Sequence, residues 1–390
     1  MKYIDELLKG HEVVWKELGE VADIYGGLTG KSKSDFEDGN ALFISYKNIY
    51  DNYEINNQDL PKVKVSETEQ QHKVEYGDVL FTGSSETADE VAYSSAVTTH
   101  FSEAVYLNSF SFGVRFHKDI ELIPEFSKHL FRGVYMRKQM AKTASGVTRF
   151  NVSKARFKKI LIPLPPLSVQ EEIVRILDKF TTLEAELEAE LDCRKRQYEY
   201  YRNQLLSFDI INLNDAQVSK IKVMPLGEIV TIKNGKSYKH LSMGNVPVYG
   251  SGGIMCFVDE YIYNKPSVLI PRKGSLENIF YLEEPFWNVD TIFYTEINDK
   301  IIMPKFLYYY LLNQHLEKLN LAGGVPSLTQ KDLNKVLIPI PPLSEQERIV
   351  SILDKFDTLV NSISEGLPKE IELRRKQYEY YRELLLSFRH

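Results

Sequence analysis

Ile162-Pro163-Leu164-Pro165-Pro166-Leu167-Ser168 opens a stretch that runs on through Ile176-Leu177-Asp178-Lys179-Phe180. The chain writes it a second time, from Ile338-Pro339-Ile340-Pro341-Pro342-Leu343-Ser344 through Ile352-Leu353-Asp354-Lys355-Phe356. At an offset of 176 (338 − 162), 15 of the 19 aligned positions are identical. Further on, Arg194-Lys195-Arg196-Gln197-Tyr198-Glu199-Tyr200-Tyr201 returns as Arg374-Arg375-Lys376-Gln377-Tyr378-Glu379-Tyr380-Tyr381, at an offset of 180. The second copy therefore carries four extra residues.

The physical reading of the repeat is a long helix with an extended lead-in. Pro163, Pro165 and Pro166 disfavour helix before them. Ser168 stands where an N-cap belongs, with Glu171 three residues on, as a capping box requires. Apolar or aromatic residues follow at Ile173, Leu177, Phe180, Leu187, Leu191, Tyr198, Tyr201, Leu205 and Phe208, the alternation of three and four that marks a coiled-coil seam. The second copy offers Ile349, Leu353, Phe356, Ile363, Leu367, Ile371, Tyr378, Tyr381, Leu385 and Phe388. A helix of about 40 residues would be roughly 60 Å long. Two such seams far apart in sequence predict helices that pack on each other. Gly366 and Pro368 interrupt the second, so its far arm is expected to be bent or split.

The duplication extends beyond the helices. Trp15-Lys16-Glu17-Leu18-Gly19-Glu20-Val21 is echoed by Met224-Pro225-Leu226-Gly227-Glu228-Ile229-Val230. Pro124-Glu125-Phe126 opens a predicted helix to about Met140, and Pro304-Lys305-Phe306 opens one to about Leu316, each with proline in the first turn. Gly-rich turns follow at 145–151 and 323–329, before short helices capped by Ser153 and Thr329. Strands are predicted at 41–45, 78–82, within 104–116 and at 267–271. The expected order is domain, helix, domain, helix: residues 1–160, 161–209, 210–337 and 338–390.

Composition bounds the function. With 390 residues, 43% of them hydrophobic, the chain can bury real cores. Cys193 and Cys256 are its only cysteines, far apart, so neither a disulfide framework nor a zinc site is indicated and a reducing cytoplasm fits. The N-terminus lacks a signal-peptide core, and no apolar run approaches the length of a membrane span. The eight histidines are scattered without metal-ligand spacing. Clustered carboxylates with a lysine, as a metal nuclease needs, are missing. So are a glycine-rich cofactor loop and the Asp/Asn-Pro-Pro-aromatic loop of an amino-methyltransferase.

The net charge of −6 argues mildly against nucleic acid, but its distribution argues for it. Between Lys128 and Lys159 stand ten lysines and arginines and no acid. Solvated faces normally mix signs. Loops rich in Gly, Ser, Asn, Lys, Arg and Tyr suit phosphates and base edges. The candidate DNA contacts are Lys31, Lys33, Lys47, Asn48, Arg115, Arg137, Lys138, Lys142 and Arg149 in the first domain. In the second they are Lys233, Lys236, Tyr238, Lys239, Ser251, Arg272, Lys273 and Asn288. The residues alone lead to a duplicated two-domain binding protein for DNA. An enzyme with divergent motifs and a coiled-coil adaptor remain as alternatives.

Two variable domains, each followed by Pro-Pro-Leu-Ser-x-Gln-Glu and a helix ending in Arg-x-x-Gln-Tyr-Glu-Tyr-Tyr-Arg, resemble the specificity (S) subunit of type I restriction–modification systems. Ile173-Val174-x-Ile176-Leu177-Asp178-Lys179-Phe180 and its twin carry the resemblance. So do the tandem Glu-Ala-Glu-Leu units at 184–187 and 188–191, which look like a spacer repeat. The resemblance implies an α+β fold: two target recognition domains of mixed α/β structure, separated by two long antiparallel coiled-coil helices in a pseudo-two-fold repeat. It implies a non-catalytic subunit that reads a split sequence in double-stranded DNA. The helices would serve as spacer and help dock two modification subunits, with Ile173, Leu177, Phe180, Leu187, Leu191, Tyr198, Tyr201, Ile349, Leu353, Phe356, Tyr378 and Tyr381 as the spacer and partner-facing set. It places S-adenosylmethionine on the modification subunit, and ATP and Mg on restriction subunits added through the methyltransferase. No cofactor or metal is expected in this chain.

Overall fold

A computed structural model describes residues 2–208, 221–319 and 327–388. It divides into two compact units, residues 1–187 with 371–390, and residues 188–370. Both divisions fall inside predicted helices, so each unit combines segments from both copies of the repeat.

The first unit is built on a four-stranded antiparallel sheet in the order Ala22–Gly26, Ser111–Phe116, Val79–Thr82, Ser94–Ala96. Val79–Thr82 is buried along its whole length, as an apolar central strand must be. A smaller sheet, Lys62–Val63, Ala41–Ile44, Val105–Leu107, contains one parallel pair. Val14–Glu17 pairs with Leu161–Leu164, bringing the proline-rich lead-in back to the start of the domain. Phe81, Phe112, Phe131 and Phe157 stack edge-on and offset at the centre of the core, an arrangement that aromatic quadrupoles favour.

The second unit repeats these sheets, although the first unit's further sheet, Ala144–Ser145, Phe150–Val152, Ser84–Ser85, is matched among the described residues only by the Lys273–Ser327 bridge. Its four-stranded sheet runs Val230–Asn234, Ile292–Ile297, Ser267–Pro271, Phe280–Leu282. Its small sheet runs Gly253–Val258, Met243–Gly250, Trp287–Asn288, again with one parallel pair. Lys222–Pro225 pairs with Leu337–Ile340. The helix Tyr46–Asp51, which follows the Ala41–Ile44 strand in the first unit, is replaced in the second by the tight turn at Ser251 and Gly252.

Several sequence expectations change. The segment from Pro124 is two helices, Pro124–Leu130 and Val134–Ala141, broken at Arg132-Gly133. Pro304–Asn313 ends earlier than expected, and Leu316–Leu319 is a separate 3-10 turn. Gly27 is fixed by a close approach: a Cβ there would stand 1.9 Å from the Asn108 carbonyl oxygen. Gly235 in the second unit has the same role, with Val289 O at 2.1 Å. Thr329 caps its helix, accepting a bond from the Asp332 amide, while Ser153 occupies an N-cap position without a side-chain bond. The glycine turn at 323–326 and the expected start of the second domain at Ile210 lie outside the described residues.

The central helix Leu167–Leu206 is continuous over 40 residues. It begins one residue before Ser168, so the expected serine cap is not what starts it. The amides of Val169 and Gln170 bond instead to the Pro166 carbonyl. The distal helix is split into Leu343–Asn361 and Gly366–Leu385. The break is the four residues 362–365, the same number by which the second copy exceeds the first. Gly366 takes φ +80°, and a Cβ there would meet Thr358 O at 2.4 Å, so the interruption depends on glycine. Ile363, expected in the seam, lies in the break and is exposed.

Candidate nucleic-acid interface

Each globular domain is clamped to a helix by one glutamine. The Gln170 side chain is fully buried; its Oε1 accepts from the Ile123 amide, and its Nε2 donates to the carbonyls of Glu121 and Pro165. Gln346 does the same in the second unit with Met303 N, Ile301 O and Pro341 O. About two turns on, Asp178 accepts from His129 Nε2 at 2.8 Å and pairs with Lys128 at 3.0 Å. Its twin Asp354 accepts from Tyr309 Oη at 2.6 Å and from Lys305 at 2.9 Å. Burial acts to raise the Asp178 carboxyl, but the bonds from His129 and Lys128 outweigh it and its pKa is lowered. His129, also bonded through Nδ1 to the Tyr378 hydroxyl, has its pKa lowered chiefly by burial. These four residues escaped the sequence reading, although the Ser-x-Gln-Glu and Leu-Asp-Lys-Phe identities held the signal.

The expected spacer residues are largely taken up within the chain. Ile173 and Leu177 are core residues of the first unit, as are Ile349 and Leu353 of the second. Phe180 stacks on Tyr381, and Glu184 pairs with Arg375, so these helix segments run antiparallel. Phe356 stacks on both Tyr198 and Tyr201 in the second unit. The first copy's Phe thus meets the second copy's Tyr, and the second copy's Phe meets the first copy's Tyr. Leu191 lies at the edge of the second core, Leu187 is half-buried, and Tyr378 is buried against His129 and Tyr53. The faces left open carry Tyr200 and Tyr380, 62% and 65% exposed, beside Tyr201 and Tyr381 at 37% and 38%.

The acid-free run 128–159 does not form one patch. Lys128, Arg132 and Arg137 turn inward. Arg132 donates to the carbonyls of Ser94, Ile49, Tyr50 and Asn52 and lies over the rings of Tyr53 and Tyr93. Burial pushes its pKa down to about 10, leaving it charged at neutral pH. Arg137 donates to Ala92, Asp89 and Val91 carbonyls. Arg115 is held by Asp78, Glu75 and the Lys73 carbonyl, and its pKa is raised. Asn288 is buried, donating to Ile292 O. Asn48 bonds to the backbone of Asn56, while Lys31 pairs with Glu69, Lys47 with Asp51 and Lys233 with Glu296. Tyr238 packs beside a small core cluster. Lys33, Lys138, Lys142, Lys236, Lys239 and Lys273 are exposed.

Arg149 lines a cleft of about 560 Å³ with Tyr46, Tyr50, Ser84, Ser85, Glu86, Glu90, Phe110 and Thr148. Its guanidinium donates to Ser84 Oγ and stands 6.0 Å from the Phe110 ring centroid. In the second unit Arg272 lies 5.9 Å from the Phe293 ring, with Lys273 beside it. Ser251 is near, its amide donating to Thr291 Oγ1 and its carbonyl accepting from Asn278. Among the described residues, no group of three or more His, Cys, Asp and Glu could hold a metal ion, and no helix is long and apolar enough to cross a membrane.

Comparison with known proteins places this duplicated frame. Residues 11–192 and 218–373 each match the family model of the type I restriction modification DNA specificity domain. This chain belongs to that family. It is 32% identical, over 99% of its length and 98% of the relative's, to a putative type I restriction enzyme specificity subunit of Haemophilus influenzae. It is likewise 32% identical to a type I restriction enzyme specificity subunit of Escherichia coli, over 100% of this chain and 97% of that one. Among solved structures, the S subunit from M. genitalium aligns over 98% of both chains with a TM-score of 0.57 and 19% identity. A chain from a study of complex assembly in the type I R-M system aligns over 96% of this chain and 98% of that one, with a TM-score of 0.64 and 18% identity. The specificity subunit described here is a non-catalytic component with two recognition domains, each the product of one repeat.

Proposed function

We propose that this specificity subunit reads a bipartite target in double-stranded DNA, one half with each recognition domain (1–160 and 210–337). The helical regions (161–209 and 338–390) hold the domains at a fixed spacing and dock two modification subunits. Through these, restriction subunits join. S-adenosylmethionine would bind the modification subunit, and ATP and Mg the restriction subunit. The assembly would work in the cytoplasm of a bacterium or archaeon. The observation that carries this reading is the matched exposure of repeat-equivalent residues, Tyr200 with Tyr380 and Tyr201 with Tyr381. Two equal surfaces call for two equal partners. For the phosphate contacts we propose Lys33, Lys138, Lys142 and Arg149 in one domain, and Lys236 and Lys239 in the other. Arg115, Arg137 and Asn288 serve the fold instead.

The test is the mass of the methyltransferase purified through a tag on this chain, together with the sites it methylates. Two modification subunits per specificity subunit are expected, and an active one-to-one complex would refute the docking. Exchanging residues 14–160 for another member's first domain should change one half of the target and leave the other. Inserting one more Glu-Ala-Glu-Leu after Leu191 lengthens the helix by about 6 Å. That should widen the unread gap by about one base pair, two at most, since one step of DNA is about 3.4 Å. An unchanged gap with full activity would show that this helix does not set the spacing. The split distal helix gives no precedent for the insertion, because its four extra residues lie in the break and not in a helical turn.

A further inference from the structure

Hydrogen bonding makes Gly83 and Arg272 the same position in the two domains. The Gly83 amide donates to Phe110 O at 2.8 Å and its carbonyl accepts from Val152 N at 3.0 Å. The Arg272 amide donates to Thr291 O at 2.8 Å and its carbonyl accepts from Leu328 N at 2.9 Å. The backbones coincide, yet the side chains that follow differ in charge. The first domain continues Ser84-Ser85-Glu86, with Glu90 close behind; the second has Arg272-Lys273-Gly274-Ser275.

In the first domain this corner forms a wall of the 560 Å³ cleft. Glu90 is oriented by three hydroxyl donors: Tyr50 at 3.0 Å on Oε1, and Thr87 at 2.9 Å and Ser85 at 3.2 Å on Oε2. Oε1 keeps a lone pair for another donor. The same bonds hold its carboxyl below the usual range, so it is charged at neutral pH. Glu86 is exposed in the same cleft. Phe110 is 61% exposed and offers an apolar face beside them. A carboxylate repels phosphates, so its place in a DNA-reading cleft is on a base edge that donates. In the major groove those donors are the exocyclic amino groups, as when Glu accepts from cytosine N4. In the second domain the corner offers Arg272 and Lys273, the side chains that pair best with guanine O6 and N7. Exposed acids stand near them too: Glu277 follows in sequence, and Asp290 precedes Thr291, whose carbonyl accepts from the Arg272 amide.

We propose that this corner is the base-reading element of both domains, and that the two read opposite hydrogen-bonding edges. Glu86 and Glu90 select an amino-bearing base, cytosine or adenine, in one half-site. Arg272 and Lys273 select guanine in the other. The proposal rests on the reading that both domains bind duplex DNA.

Enrichment of random-sequence duplexes by the complex purified through a tag on the full chain tests it. The Glu86→Gln/Glu90→Gln variant should lose about tenfold or more discrimination at one cytosine or adenine position and leave the other half-site intact. Arg272→Ala/Lys273→Ala should lose it at a guanine in that other half. Glu86→Gln alone removes an exposed carboxylate, so its loss of selectivity with an unchanged melting temperature excludes misfolding as the cause. An unmodified complex that enriches a bipartite site which both variants preserve would overturn this assignment while leaving the recognition function standing. The same holds if the glutamate variants relax a guanine or thymine. A wild-type complex that enriches no sequence would overturn both.

Discussion

The two units use one frame and differ where the frame allows it. Gln170 and Gln346 make the same three bonds, and Gly27 and Gly235 face the same kind of carbonyl at the same turn. By contrast, His129 in the first unit is Tyr309 in the second, and Ser84 is Lys273. The backbone bonds made by the two anchoring glutamines are repeated to the atom, while the side chain that meets Asp178 or Asp354 and the residues on the open corner of the sheet diverge. The difference separates what the duplicated fold needs from what each domain does with it.

Gln170→Ala and Gln346→Ala bear on that separation most heavily. Each would leave one part-buried amide and two carbonyls, one of them buried, without their partner, at up to about 1–3 kcal/mol per orphaned group. We expect a loss of about 3 kcal/mol confined to the mutated unit, read by hydrogen exchange resolved along the chain. A cost several-fold larger in one unit than in the other would break the equivalence.

Acid should tell the units apart. His129 has a lowered pKa in the folded unit, against about 6.5 when unfolded. Above about pH 6.5 both states are neutral there and the stability is fully present. As pH falls below that value the unfolded chain takes up a proton that the folded one resists. Stability then drops by up to about 1.4 kcal/mol per pH unit, until the folded pKa is passed. Burial dominates that shift; the bond to Asp178 opposes it and the charges of Lys128 and Arg382 add to it, while Tyr378 bonds the other ring nitrogen. The second unit, with Tyr309 at the site, should lack this term. Denaturant midpoints of each unit between pH 7 and 5 measure it, and His129→Tyr should remove the acid loss from the first.

The smallest effect is electrostatic. Lys142→Ala should lower the log–log salt slope of DNA binding by about one, without altering sequence preference. Arg137→Ala, whose guanidinium is bound to three carbonyls, should instead reduce the stability of the first unit. Equal salt slopes for wild type and Lys142→Ala would remove that lysine from the phosphate contacts.

Much of this was legible in the sequence, and the failures have physical causes. Repeated identities gave the two long helices, and Gly366 with Pro368 gave the break, because backbone restrictions act locally. The strands at 41–44, 79–82 and 267–271 announced themselves by short apolar runs. The basic run divides because its residues lie on two short helices and the turns around them: Lys128, Arg132 and Arg137 face inward, while Lys142 and Arg149 face out. The cleft was invisible because its walls come from residues 46–50, 84–90, 110 and 148–149, which only the sheet topology brings together. The seam read correctly as apolar, but most of it is used up in the units' own cores.

The division of the helices between units has a consequence for synthesis. Tyr378, Leu385, Leu386 and Phe388 belong to the hydrophobic core of the first unit, yet they are made only after the whole of the second. The intervening residues 188–370 form the other unit. At about 5–20 residues per second, the ribosome needs roughly 10–40 s to translate them. Throughout that interval the first domain waits with part of its apolar core uncovered, while the second can already close. A premature stop just before Tyr378 would therefore injure a domain encoded mostly upstream of the other unit. The native order of completion is the reverse of the order of synthesis.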